Sequence, residues 1–254
     1  MDNLTSPSWI SFLNEVKKAK KELGNPDIIW YRGHADYSFY LLPTLLRYKN
    51  GIDKEKELFH KFKKFSHRVF ELRSSEWETL FDMQHYGIPT RLLDWTESFG
   101  IGLYFAAQIN HSRKSPNDAA LYLLNPEELN SKSVGKKILR IPEDENSFSY
   151  SKIYWNHNPF SPNAPIAVEP LFRNDRIFAQ RGMFTVHDDD ITPIETKFPD
   201  VVKKIILPND AIPAAIDFLN LANINEYSVF PDLAGIADYL TNDSGLISRW
   251  KRGV

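Results

Sequence analysis

Apolar residues in this chain gather in runs too short and too unevenly spaced for a regular β–α–β repeat, and this limits its possible folds most. Strand-length runs fall at 28–31, 119–124, 137–141, 166–168, 184–186 and 203–207. Helical patterns are scattered between them. Ile10, Leu13, Val16 and Leu23 mark one face of a helix over 8–23, between Ser6-Pro7 and Gly24-Asn25-Pro26. Leu58, Phe62, Phe65, Val69 and Leu72 step at helical spacing through 53–74. Ser75 with Glu78 forms a capping-box pattern that opens a helix running to about residue 84, stopped by Gly87 and Pro89. Residues 99–109 are apolar on nearly every side and predict a buried helix. A short helix is expected at 126–129, an ordered loop over 142–164, and closing helices near 210–223 and 231–242. This mixture predicts an α+β fold: one domain over residues 1–254, with a small mixed or antiparallel sheet flanked by helices. Its C-terminal part, 208–254, reads as a helical subregion.

A chain of 254 residues can bury about three quarters of the surface its unfolded form exposes, so its core can carry a site without cross-links. There is no cysteine, which excludes disulfides, thiolate nucleophiles and Cys-ligated metals. With 17 Phe, 11 Tyr and 6 Trp, the core should be built largely from rings. A formal charge of −2 gives no bulk attraction to nucleic acid, although charge can still be arranged locally. Met1-Asp2-Asn3-Leu4 does not open a signal peptide, and no apolar run approaches the roughly 18 residues of a membrane span. The expectation is a cytoplasmic protein that does not contact a membrane. No Gly-x-Gly-x-x-Gly and no P-loop sequence occurs.

Three clusters could carry chemistry. Tyr31-Arg32-Gly33-His34 places a guanidinium and an imidazole at the end of an apolar strand, where Gly33 would allow a sharp exit. Arg32 could face a ligand or pair with a carboxylate such as Asp94, and both remain open. Residues 84–96 hold Gln84, His85, Tyr86, Thr90, Arg91, Asp94 and Thr96 around a turn at Gly87 and Pro89. If 90–96 is extended, Thr90, Leu92 and Asp94 face one way and Arg91, Leu93 and Trp95 the other. A buried structural network and a polar cleft both fit this segment. In the third cluster, Arg173 and Arg176 lie three apart and Gln180 precedes a turn at Gly182. Polar groups beside apolar strands must satisfy one another or face a ligand, so Arg32, His85, Thr90, Asp94 and Gln180 are expected to share one cleft. Asp188-Asp189-Asp190 lacks EF-hand spacing and no His-x-x-x-His pair occurs, so the sequence supports no metal site.

These segments resemble the FRG domain family. Trp30-Tyr31-Arg32-Gly33 is similar to its Phe/Tyr-Arg-Gly motif, Leu42-Pro43-Thr44-Leu45-Leu46-Arg47 to a following Leu-Pro segment, Gln84 through Thr96 to its longest motif, and Arg176 through Phe184 to its last. The motif-bearing region is 26–190. The resemblance implies a bacterial or phage setting of defence or toxicity and no settled reaction. The order of its motifs is similar to that of ADP-ribosyltransferases, which implies NAD as substrate, no metal, and a protein or nucleic-acid acceptor. Arg32, His34, Tyr86, Arg91 and Arg176 would then hold the nucleotide, and Asp94, His85, Gln180 and Thr90 would serve catalysis, with Glu169 as a reserve acid. The last motif departs from that comparison by offering Gln180 with no Glu beside it. A nucleotide or nucleic-acid binding module without turnover is the alternative, as is a metal-independent phosphodiesterase with His34 or His85 as base.

Overall fold

The computed structural model describes residues 2–68, 75–112, 115–135, 139–140, 148–171 and 175–243. Seven strands form one sheet: β1 (Trp30–His34), β2 (Leu92–Thr96), β3 (Ala119–Leu124), β4 (Leu139–Arg140), β5 (Ile166–Glu169), β6 (Gly182–Val186) and β7 (Val202–Leu207). Their spatial order is β4-β5-β6-β2-β1-β3-β7. Every neighbouring pair is antiparallel except β4 with β5, which is parallel. The fold is therefore α+β on a single sheet.

Helices cover both faces. On one face, α1 (Pro7–Glu22), α4 (Phe99–Ser112) and α8 (Ile212–Leu221) pack Trp9, Phe12, Leu103 and Leu219 against Leu121, Leu123, Ile205 and Leu207. Burying such side chains stabilises the fold by about 1.5–3 kcal/mol each relative to exposure. Further along the same sheet face, α3 (Glu76–His85) sets Trp77, Leu80 and Phe81 on Leu92, Phe184 and Val186. Across the sheet, Trp30, Leu93, Trp95 and Tyr122 meet Leu129 of α5 (Pro126–Val134) and Ile194 of α7 (Ile194–Lys197). Rings do fill much of this core; Trp77 and Phe148, for example, stack 5.2 Å apart.

The Ser75 capping box forms as expected: Ser75 Oγ accepts from Glu78 N–H, and the Glu78 carboxylate accepts from Ser75 N–H. Gly87 ends α3 with φ of 75°, which only glycine adopts without strain. The helix expected over 53–74 is observed as α2 (Gly51–Ser66), with Phe65 exposed; Val69 and Leu72 lie outside the described residues. The expected loop at 142–164 contains a π-helical turn, Ser151–Trp155. The closing helical region is α8, α9 (Glu226–Val229) and α10 (Leu233–Asp243). No helix among the described residues is long and apolar enough to cross a membrane.

Gly33 is not a turn residue. It lies within β1, and a Cβ there would sit 2.1 Å from the Gly102 carbonyl oxygen and 2.5 Å from the Ala106 nitrogen of α4. Glycine at this position lets the helix backbone rest directly on the strand. Gly102 returns the favour, since its own Cβ would meet Tyr31 Cβ at 2.8 Å.

Candidate functional site

The two central strands pair at only one position, Tyr31 with Thr96, while β1 pairs with β3 along five residues and β2 with β6 along five. Beyond Tyr31 the central strands splay apart, and a cavity of about 340 Å³ opens at the split. That volume is at the small end of those that hold small-molecule ligands. Its walls come from β1, the loop after it, α3, β2, α4 and the segment around α6 (Asp175–Ala179) and the start of β6. Phe81, Phe105 and Phe184 supply much of the apolar surface, and Arg32, Asp94, Gln84 and Arg176 the polar surface.

Arg32 spans the split. Its Nη1 donates to the Asp94 carbonyl oxygen at 2.7 Å and reaches an Asp94 carboxylate oxygen at 3.4 Å. Burial pulls its pKa down, and the Asp94 carboxylate pulls the other way. Its Nε–H donates to His34 Nε2 at 3.1 Å. A guanidinium can only donate, so Nε2 is the acceptor nitrogen and Nδ1 carries the proton, facing the Phe39 carbonyl oxygen at 3.4 Å. Burial, together with the neighbouring Arg32 charge, pushes the His34 pKa down to about 3. His34 is therefore a neutral support for Arg32. Its lone pair is already occupied, which rules it out as a general base.

Asp94 is held from its other side. Leu92 N–H donates to Thr90 Oγ1 at 3.0 Å, so the Thr90 hydroxyl proton points to Gln84 Oε1, 2.6 Å away. That contact orients the Gln84 amide so that its NH₂ group donates to Asp94 Oδ2 at 2.9 Å. Thr90 and Asp94 are thus linked through Gln84. With donors from Gln84 and Arg32, the carboxylate is fixed as an acceptor.

His85, Arg176 and Gln180 also line the cavity. Burial and the Arg176 charge lower the His85 pKa, with Asp232 opposing, so its imidazole is neutral near pH 7. The Arg176 guanidinium lies 4.7 Å over the Phe230 ring and has no carboxylate partner among the described residues. Gln180 Nε2 donates to the Val229 carbonyl oxygen at 3.1 Å, which ties it to α9.

Residues 27–115 match the model of the FRG domain. No curated protein and no solved structure matches the chain. The matched FRG segment supplies Arg32, His34, Gln84, His85, Asp94 and Phe105, while Arg176 and Gln180 lie beyond it.

Six of the nine residues predicted for the site line the cavity: Arg32, His34, His85, Asp94, Arg176 and Gln180. Three do not. Thr90 is 1% exposed and acts behind the wall, through Gln84. Tyr86 follows the end of α3 with its ring 58% exposed and edge-on to His85, outside the cavity. Arg91 is buried away from the cavity, bonded to Glu55 and Asp189, so it does not hold a ligand there. Glu169 ends β5 and is not part of the wall, and Arg173 lies outside the described residues. Sequence reasoning missed the role of Gln84. The signal was available: an amide in the last turn of a helix, beside a motif with a hydroxyl and a carboxylate, is placed to bridge them.

Proposed function

We propose that this cavity binds NAD and that the protein breaks its nicotinamide–ribose bond, passing ADP-ribose to water or to a macromolecular acceptor. One observation carries the reading: Asp94, with its side chain 53% exposed, sits on the wall of a ring-lined cavity beside two arginines. In this reaction a nucleophile attacks C1′ of the nicotinamide ribose. The C–N bond breaks, its electron pair neutralises the pyridinium nitrogen, and the nucleophile gives up its proton. Positive charge develops on the ribose, and a fixed carboxylate is the group that stabilises it. Asp94 takes that role, held by Arg32 and Gln84. Arg32 and Arg176 hold the pyrophosphate by charge-assisted hydrogen bonds. Neutral His85 accepts the nucleophile's proton, and the free face of Gln180 hydrogen-bonds the ribose.

The test follows nicotinamide release by chromatography when purified protein meets NAD with and without macromolecular acceptors. Release that Arg32→Ala and Asp94→Asn each abolish, in variants with unaltered thermal melts, supports the reading. NAD that binds but returns intact after prolonged incubation would make the cavity a nucleotide-binding site without turnover.

A further inference from the structure

Beside the cavity, the chain leaving β1 displays rings that the core does not use. Tyr37, Phe39 and Tyr40 are 46%, 48% and 63% exposed, and Tyr48 a little further on is 57% exposed. Three outward rings within four residues are expensive to leave in water unless they meet something. They are not loosely held. Tyr37 N–H donates to the Asp118 carbonyl oxygen at 2.9 Å, and Leu41 N–H to the Glu195 carboxylate at 3.1 Å. The Phe39 carbonyl oxygen accepts from the Tyr122 hydroxyl at 2.8 Å. Ser38 N–H donates to Asp36 Oδ1 at 2.9 Å. The backbone is pinned from several elements while the rings point outward, so little ordering is left to be lost on binding.

Two cations flank the rings. Arg47 is anchored by Nε and Nη2 on the Leu42 carbonyl oxygen at 2.9 and 2.7 Å. Lys204 of edge strand β7 donates to the Tyr37 carbonyl oxygen and lies 5.6 Å over the Tyr37 ring. Neither cation has a carboxylate partner among the described residues, and both are exposed. The nearby carboxylates are engaged locally, Asp36 by Ser38 and Asn117, and Glu195 by Leu41. The net charge of −2 does not describe this surface, where two exposed cations stand among the rings beside two hydrogen-bonded carboxylates.

We propose that this surface binds single-stranded nucleic acid. Rings set among cations match that partner: bases stack on the rings and phosphates meet the cations, with little sequence preference. A duplex keeps its bases stacked inside and cannot use the rings. Phe39 both belongs to the platform and lines the cavity, so a bound strand runs to the cavity mouth. The inference does not depend on NAD being the cavity's ligand.

The experiment titrates protein into short fluorescein-labelled oligothymidylate, oligouridylate and a duplex control, reading anisotropy at several salt concentrations. Single strands should bind and the duplex should bind more weakly. Tyr40→Ala and Tyr48→Ala should each weaken binding about thirtyfold, the middle of the range for loss of one stacking ring. Lys204→Gln should make the slope of log affinity against log salt shallower by about 0.7. Thermal melts establish that each variant is folded. No binding of single strands, or binding that Tyr40→Ala, Tyr48→Ala and Lys204→Gln all leave unchanged, overturns the proposal. So does tighter binding of duplex than of single strand.

Discussion

Two arginines in the recognised motifs each meet a carboxylate, yet the two pairs are built for different ends. In Arg91–Glu55, Nε donates to Oε1 at 2.8 Å, and the two side chains are only 2% and 5% exposed. Every neighbour adds to saturation: Tyr150 and Trp155 also donate to Glu55, and Asp189 accepts from Arg91. Burial alone would lower the Arg91 pKa, but Glu55 and Asp189 outweigh it and raise it. In Arg32–Asp94 the carboxylate contact is looser, 3.4 Å, and the side chains are 21% and 53% exposed. Asp94 keeps capacity directed at open space. A saturated pair stabilises a fold; a pair left open beside a cavity is available to a ligand.

The comparison breaks most easily at the buried pair. Glu55→Ala leaves Arg91 as a buried charge without its main partner and should cost about 3–5 kcal/mol in urea unfolding. A cost under about 1 kcal/mol would mean that Arg91 is as adaptable as Arg32. Asp94→Asn is the mirror experiment. It should change stability by less than about 1 kcal/mol, as exposed pairs do, while nicotinamide release falls by about two to three orders of magnitude. Thr90→Val sharpens the boundary between the two regions. It strands Gln84 Oε1 and the Leu92 N–H, so urea unfolding should register a loss of about 1–3 kcal/mol, with Thr90→Ser close to wild type.

A more gradual effect is read in pH. The folded-state pKa of His34 is about 3, below its unfolded value of roughly 6.5. Below that unfolded value the unfolded chain takes up a proton that the folded chain refuses. Stability is therefore lost as pH falls from about 6.5 towards 3, at up to about 1.4 kcal/mol per pH unit. His187, also buried and lowered to about 3, adds a second contribution of the same sign. His34→Gln should remove one of the two, and urea midpoints of both proteins across this range would measure it.

Much of the fold was legible because its signals are local. The α3 capping box, the Gly87 stop, and the apolar runs of β3 and β7 are each set by neighbours in sequence. The site was legible as far as alternation carries. An extended 90–96 places Arg91 on the face opposite Asp94, and grouping the two by motif set that rule aside. What could not be read are long-range partners: nothing near Arg91 announces Glu55, 36 residues upstream. Gly33 was misread for the same reason, since the α4 backbone that needs its missing Cβ comes some seventy residues later.

Calorimetric titration of NAD into wild type, Arg32→Ala and Arg91→Lys, each verified as folded, tests the central claim most directly. The account predicts saturable heat for wild type, affinity at least about tenfold weaker for Arg32→Ala, consistent with loss of a charge-assisted bond, and wild-type affinity for Arg91→Lys. No heat in wild type, or equal affinity in Arg32→Ala, would contradict it.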